Sequence, residues 1–93
     1  MAGIKDIIVK KPSATDSQTC SHWPIWTCPI SIFDWEYDEK ETCLILEGKV
    51  RIKSPDSKDE VSFAAGDLVI FPKGLKCIWH VLEPVRKHYN FGE

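Results

Sequence analysis

A chain of 93 residues has room for one domain with a modest core, burying about 60–65% of the surface its unfolded form exposes. Twelve Lys and Arg against fourteen Asp and Glu give a formal net charge of -2 and a pI near 5.9, leaving no field that favours DNA, RNA or an anionic membrane. No apolar run reaches the ~20 residues of a membrane span, and the N-terminus lacks a basic region followed by an apolar stretch. The expectation is therefore a protein of the cytoplasm or another intracellular soluble compartment, with no nucleic-acid and no membrane partner.

At 43% hydrophobic and 28% charged the sequence is ordinary globular rather than disordered. Four Trp, four Phe and two Tyr are many for the length, and they fit either a thick core or an aromatic-lined pocket. The cysteines, at 20, 28, 43 and 77, make no Cys-x-x-Cys pair, and their spacing matches no standard zinc pattern, so they read as independent thiols.

In chain order, Ile4 to Val9 is an apolar edge strand ended by Lys10-Lys11-Pro12-Ser13, because Pro12 brings no backbone donor to a ladder. Ala14 to Ser21 is polar and unpatterned, equally a helical turn or a loop. His22-Trp23-Pro24-Ile25-Trp26-Thr27-Cys28-Pro29 reads as a stiff strap packed over one face, with a recognition patch as the alternative. Residues 1–29 thus form an edge strand and strap, and residues 30–91 the core of a single domain spanning 1–93.

From Phe33 onward the pattern alternates: Phe33, Trp35 and Tyr37 point one way, Asp34, Glu36 and Asp38 the other. After the turn at Asp38-Glu39-Lys40, Glu41, Cys43 and Ile45 share one face and Leu44 and Leu46 the opposite one. A carboxylate at Glu41 on an interior face requires a donor, a cation or a proton; at a strand mouth it stays wet or pairs with a lysine. Glu47-Gly48-Lys49 reads as a hairpin turn, with Val50 and Ile52 on the returning strand.

Ser54 to Asp59 is a solvent turn, Glu60 to Phe63 a short strand, and Leu68 to Phe71 the most apolar strand, ended by Pro72-Lys73-Gly74. Cys77, Trp79 and Val81 then share a face opposite Ile78, His80 and Leu82. After Pro84 the tail adds a final strand over 86–91, with Arg86-Lys87-His88 read as a solvated basic group or as partners for acidic side chains. Six to nine short strands and no long helix predict an all-β barrel or sandwich.

Two stretches carry a family resemblance. Glu41 to Gly48 with Lys49-Val50, and Gly66 to Pro72 followed by Gly74, resemble the two motifs of the RmlC-like cupin superfamily. Trp23-Pro24-Ile25-Trp26 and Leu82 to Tyr89 resemble the small single-domain cupins of the (S)-ureidoglycine aminohydrolase-like branch. The resemblance covers about Trp23 to Asn90 and implies a closed jelly-roll barrel and a homodimer, which would hide outer residues such as Leu44 and Leu46.

Metal-binding cupins carry three histidines and a glutamate; the matching positions here are Trp35, Tyr37, Cys77 and Glu41, so only the carboxylate is kept. An indole does not ligate, and a phenol needs strong activation before it does. A zinc, manganese or iron site on Glu41 and Cys77, with Cys43 and water, is the alternative to no cofactor. By strand parity Trp35, Tyr37, Glu41, Cys43, Cys77 and Trp79 face the interior as a pocket for a small polar metabolite, or else simply fill it. Glu41 and Cys77 are the candidate catalytic pair, against Cys77 as a small buried hydrophobe. Three functions follow: metabolite binding without a conventional metal, a metal-dependent aminohydrolase-like enzyme, or a structural or interaction domain with a filled barrel.

Overall fold

The computed structural model describes residues 2–92, so Met1 and Glu93 of the expected domain lie outside the described residues. Its elements are a 3-10 turn at Ile4–Asp6, β1 (Ile8–Lys10), α1 (Ala14–Cys20), β2 (Ile25–Cys28), β3 (Ser31–Glu36), β4 (Glu41–Lys53), β5 (Glu60–Ala64), β6 (Leu68–Phe71) and β7 (Lys76–Phe91). No described helix is long and apolar enough to cross a membrane.

Two long strands form the spine. The first part of β4 pairs β6 on one side and the end of β7 on the other, from Glu41 opposite Phe71 and Phe91 to Leu44 opposite Leu68 and His88. Its second part pairs β5 and the start of β7, with Ile52 opposite both Val61 and Trp79. β7 in turn carries β3 along Lys76–Val81 and β2 along Val85–His88.

The hydrogen-bonded order is β1-β6-β4-β7-β2, with β3 on β7 and β5 on β4. β1 and β2 end this order without pairing each other, so the sheet is open. The expectation of an all-β closed jelly-roll barrel is thereby corrected: the fold is mixed α/β, with one helix and an open, bent seven-stranded sheet. Alternation reveals which face of a strand is buried, but closure is decided by whether the end strands meet, and these have only three and four residues.

The helix is explained by its start. Ser13 Oγ accepts the Asp16 N–H and the Asp16 carboxylate accepts the Ser13 N–H, each at 3.0 Å, a reciprocal cap that satisfies two otherwise orphaned donors. Those bonds hold the Asp16 carboxyl below its usual range. The helix sets Cys20 against Leu44 and Leu68, and Trp23 and Leu46 pack on the same cluster. Leu44 is thus covered within the chain, and Leu46 partly so.

Gly48 is not a hairpin turn. It lies within β4 at φ +101, between register shifts at Ile45/Glu47 and Lys49/Val50, and a Cβ there would stand 2.8 Å from Val85 Cα. Pro84, which has no N–H to offer a ladder, lies opposite this irregularity inside one continuous β7. Where one strand was expected before and another after each of these residues, each pair is a single bulged strand. At the N-terminus the apolar stretch is also divided: Ile4 and Ile7 are core residues, and only Ile8–Lys10 pairs, with β6.

Candidate functional site

The inner face of the bent sheet gathers aromatic rings from β2, β3, β6 and β7 and from Tyr37, just after β3. Tyr37 stacks on Phe71 with centroids 4.7 Å apart, Phe33 stacks on Trp79 at 5.8 Å, and Trp26 meets Trp79 edge-on at 5.8 Å. Odd-numbered residues of β7 turn inward on both sides of exposed Glu83, so Cys77, Trp79, Val81, Val85, Lys87 and Tyr89 belong to one row. Cross-strand partners share a face, which puts Ile45 and Trp26 beside Lys87.

This row produces the central feature. Lys87 Nζ donates to Glu41 Oε2 at 3.0 Å and to Cys43 Sγ at 3.4 Å, and stands 4.8 Å from the centroids of both Trp26 and Trp79. The side chains of Lys87 and Glu41 are only 4% and 5% exposed. The carboxylate therefore has the cation that an interior position demands, and the negative faces of two indoles complete the ammonium's surroundings.

Above the pair opens a cleft of about 180 Å³. Trp26, Phe33 and Trp79 wall it, Trp35, Tyr89 and Phe91 stand toward its mouth, and Tyr37, Glu41 and Lys87 supply its polar groups. The volume is close to that of a ~150 Å³ apolar cavity that admits benzene. Trp79 Nε1–H donates to Tyr37 Oη at 3.1 Å, which fixes the phenol. Burial and the nearby Glu41 charge push the Tyr37 phenol far up from its ordinary value, so it stays a neutral donor.

Of the six residues expected to line a pocket, Trp35, Tyr37, Glu41 and Trp79 meet at this cleft. Trp35 remains 47% exposed at the rim. Cys43 is buried against Lys87 and does not reach the cleft wall, while Cys77, the register partner of Trp35, borders a separate shallow depression with Glu36 and Lys76. Burial pushes both thiols up to about 12; Glu41 adds to this for each, and Lys87 opposes it at Cys43. A Cys77 thiolate is thus disfavoured, and no histidine approaches it as a base: His88 Nδ1–H donates to the Trp23 carbonyl at 2.9 Å, on the other face of β7.

Lys87, one of the bases read as solvated or as partners for acidic side chains, does pair with Glu41, but neither it nor Trp26 of the strap was placed in the pocket by chain-order reading. The signal was present, because odd-number parity continues from Cys77 through Lys87 to Phe91; Pro84 concealed it by suggesting a strand end.

A divalent ion does not fit these donors. Ligands must be deprotonated to bind a metal, whereas the phenol and both thiols are held protonated, and the one carboxylate is engaged by an ammonium. Among the described residues, no group of three or more His, Cys, Asp and Glu side chains comes together.

Comparison with known proteins agrees with the sequence motifs. The EutQ-like cupin domain family matches residues 15–89. A DUF861 family protein from Thermotoga maritima is 49% identical, with a TM-score of 0.86 over 92% of this chain and 99% of its own. The EutQ protein of Clostridium difficile is 25% identical with a TM-score of 0.65; 73% of this chain matches 52% of that one. A putative ethanolamine utilization protein Q from Salmonella typhimurium, 22% identical with a TM-score of 0.65 over 73% of this chain and 54% of that chain, shares the fold. The chain thus spans about half the length of these last two proteins. A search of curated proteins gave no match.

Proposed function

We propose that this chain, which belongs to the EutQ-like cupin domain family, is a small-molecule-binding domain that holds a compact polar metabolite in its aromatic cleft without a divalent metal. The observation that carries the reading is the buried Glu41–Lys87 pair that lines a ring-walled cleft. A core built only for stability gains little from a desolvated ion pair, since apolar residues of equal volume serve as well or better. Flat apolar walls with a few convergent polar groups are instead the general form of a ligand site.

The test is a panel of one-ring compounds covering neutral, acidic and basic members, read by thermal shift and by quenching of indole fluorescence. Members that raise the melting temperature are expected to lose that effect in Trp35→Ala and Phe91→Ala, which change the mouth of the cleft and spare the core. A panel that leaves the wild type unmoved would overturn the reading.

The same reading includes pairing of two copies through the outer face of β3 and β7. Ile30 and Ile32 are 66% and 69% exposed there, next to Leu82. The register flanks this apolar strip with Asp34 on one side and Arg51 and Lys53 on the other, so a two-fold axis would set acid against base.

A further inference from the structure

We infer that the ligand of the cleft is an electrically neutral ring compound bearing a carboxamide, urea or lactam group; this rests on the proposed binding function and names its chemical class. The argument begins with hydrogen-bond capacity. The Lys87 ammonium has three N–H groups, of which two are directed at Glu41 Oε2 and Cys43 Sγ, and the third has no acceptor among the described residues. Tyr37 Oη accepts from Trp79, and its own proton likewise has no acceptor among them. The Glu41 carboxylate also takes the Cys43 thiol, but with about four acceptor positions on its two oxygens it keeps capacity for one more donor from the cleft it lines. The cleft therefore offers two donors and one acceptor.

A planar group that accepts at one atom and donates at the next satisfies all three. Its carbonyl oxygen takes the Lys87 and Tyr37 protons, and its N–H donates to Glu41. The surrounding rings of Trp26, Phe33 and Trp79 offer faces for an attached ring of the size the cleft admits.

Charge sets the second half of the inference. Glu41 and Lys87 neutralise each other in surroundings almost closed to water. A carboxylate ligand would be attracted by Lys87 and repelled by Glu41, and a cationic ligand the reverse; either would lose its hydration without a net charge to recover it. A neutral amide gives up far less water and finds every partner it needs.

Benzamide, benzoate and benzamidinium share one shape and differ in charge, so they separate these cases. Titration calorimetry on the full chain is expected to show benzamide binding the wild type at least tenfold more tightly than either ion. In Lys87→Met the uncompensated Glu41 is expected to reverse the order toward benzamidinium by tenfold or more, and in Glu41→Gln the free ammonium toward benzoate. The double variant Glu41→Gln/Lys87→Met has no buried charge and keeps the comparison open if a single variant fails to fold; it is expected to retain benzamide over both ions. Wild-type protein that binds benzoate or benzamidinium as tightly as benzamide, or that binds none of the three, overturns the inference. If the one-ring panel nevertheless yields ligands that are all charged, the binding function stands and the neutral class alone falls; if it yields none, both fall.

Discussion

Replacing Lys87 by methionine removes an ammonium and leaves the Glu41 carboxylate, 5% exposed, without its cation. At 3.0 Å the pair's gross attraction is about 5.5 kcal/mol in an effective dielectric of about 20. Most of this is offset by desolvation while both partners are present, but loss of one partner exposes the penalty of the other, about 3–5 kcal/mol. For a chain of 93 residues with a total stability of about 5–14 kcal/mol, that is a large share. A fall in melting temperature of at least about 12 °C is expected at roughly 4–8 °C per kcal/mol.

Glu41→Gln is expected to cost less, near 3 kcal/mol, because the ammonium it strands keeps two indole faces. The double variant should lie within about 1 kcal/mol of wild type, since an apolar or neutral replacement of a whole buried pair is close to neutral. Urea unfolding of all four proteins, analysed as a double-mutant cycle, measures these values. Two single variants that each cost under about 1 kcal/mol and add in the double would refute the buried-pair reasoning.

Gly48→Ala is expected to destabilise by at least about 2 kcal/mol, because it combines a positive φ with backbone of Pro84 and Val85 in the path of the new methyl; a loss under about 0.5 kcal/mol in urea would contradict the bulge. The thiols supply a pH dependence. Burial pushes the Cys43 and Cys77 thiols from about 9 up to about 12, so their contribution is complete below about pH 9 and falls by up to about 1.4 kcal/mol per pH unit per thiol as pH rises toward 12. A thiol reagent at pH 8 should accordingly label half-buried Cys28 first, and labelling of Cys77 at the same rate would contradict its assignment as a protonated, buried group. Ile32→Glu is expected to convert a sedimenting dimer into a monomer; a wild type that already sediments as a monomer excludes pairing through the β3–β7 face.

Much of the inner face was legible as alternation. Phe33, Trp35 and Tyr37, then Glu41 and Cys43, then Cys77 and Trp79 have the inward parity that the registers give them. What alternation leaves out is continuity. Gly48 and Pro84 each have the chemistry of a chain reversal, and only their mutual approach shows that they share one bulge between two long strands. Misplacing that bulge separated Lys87 from the row that starts at Cys77, and so hid the cation that Glu41 requires. The open sheet was illegible for a related reason, since whether the sheet's two end strands, β1 and β2, meet is a tertiary property that no local pattern encodes. The helix was half legible: Ser13 and Asp16 have capping-box spacing, but the polar residues after them offer no apolar stripe, and a single buried Cys20 is the contact that holds it.

The cleft as a ligand site is tested most directly by the indole N–H resonances. The chain has four tryptophans: Trp26, Trp35 and Trp79 line the cleft, and Trp23 packs with Leu44 and Leu68 on the opposite side of the sheet, an internal control. Titrating isotope-labelled protein with benzamide is expected to shift the Trp26, Trp35 and Trp79 signals and leave Trp23 in place. Four unmoved signals, or movement of Trp23 alone, would contradict the account.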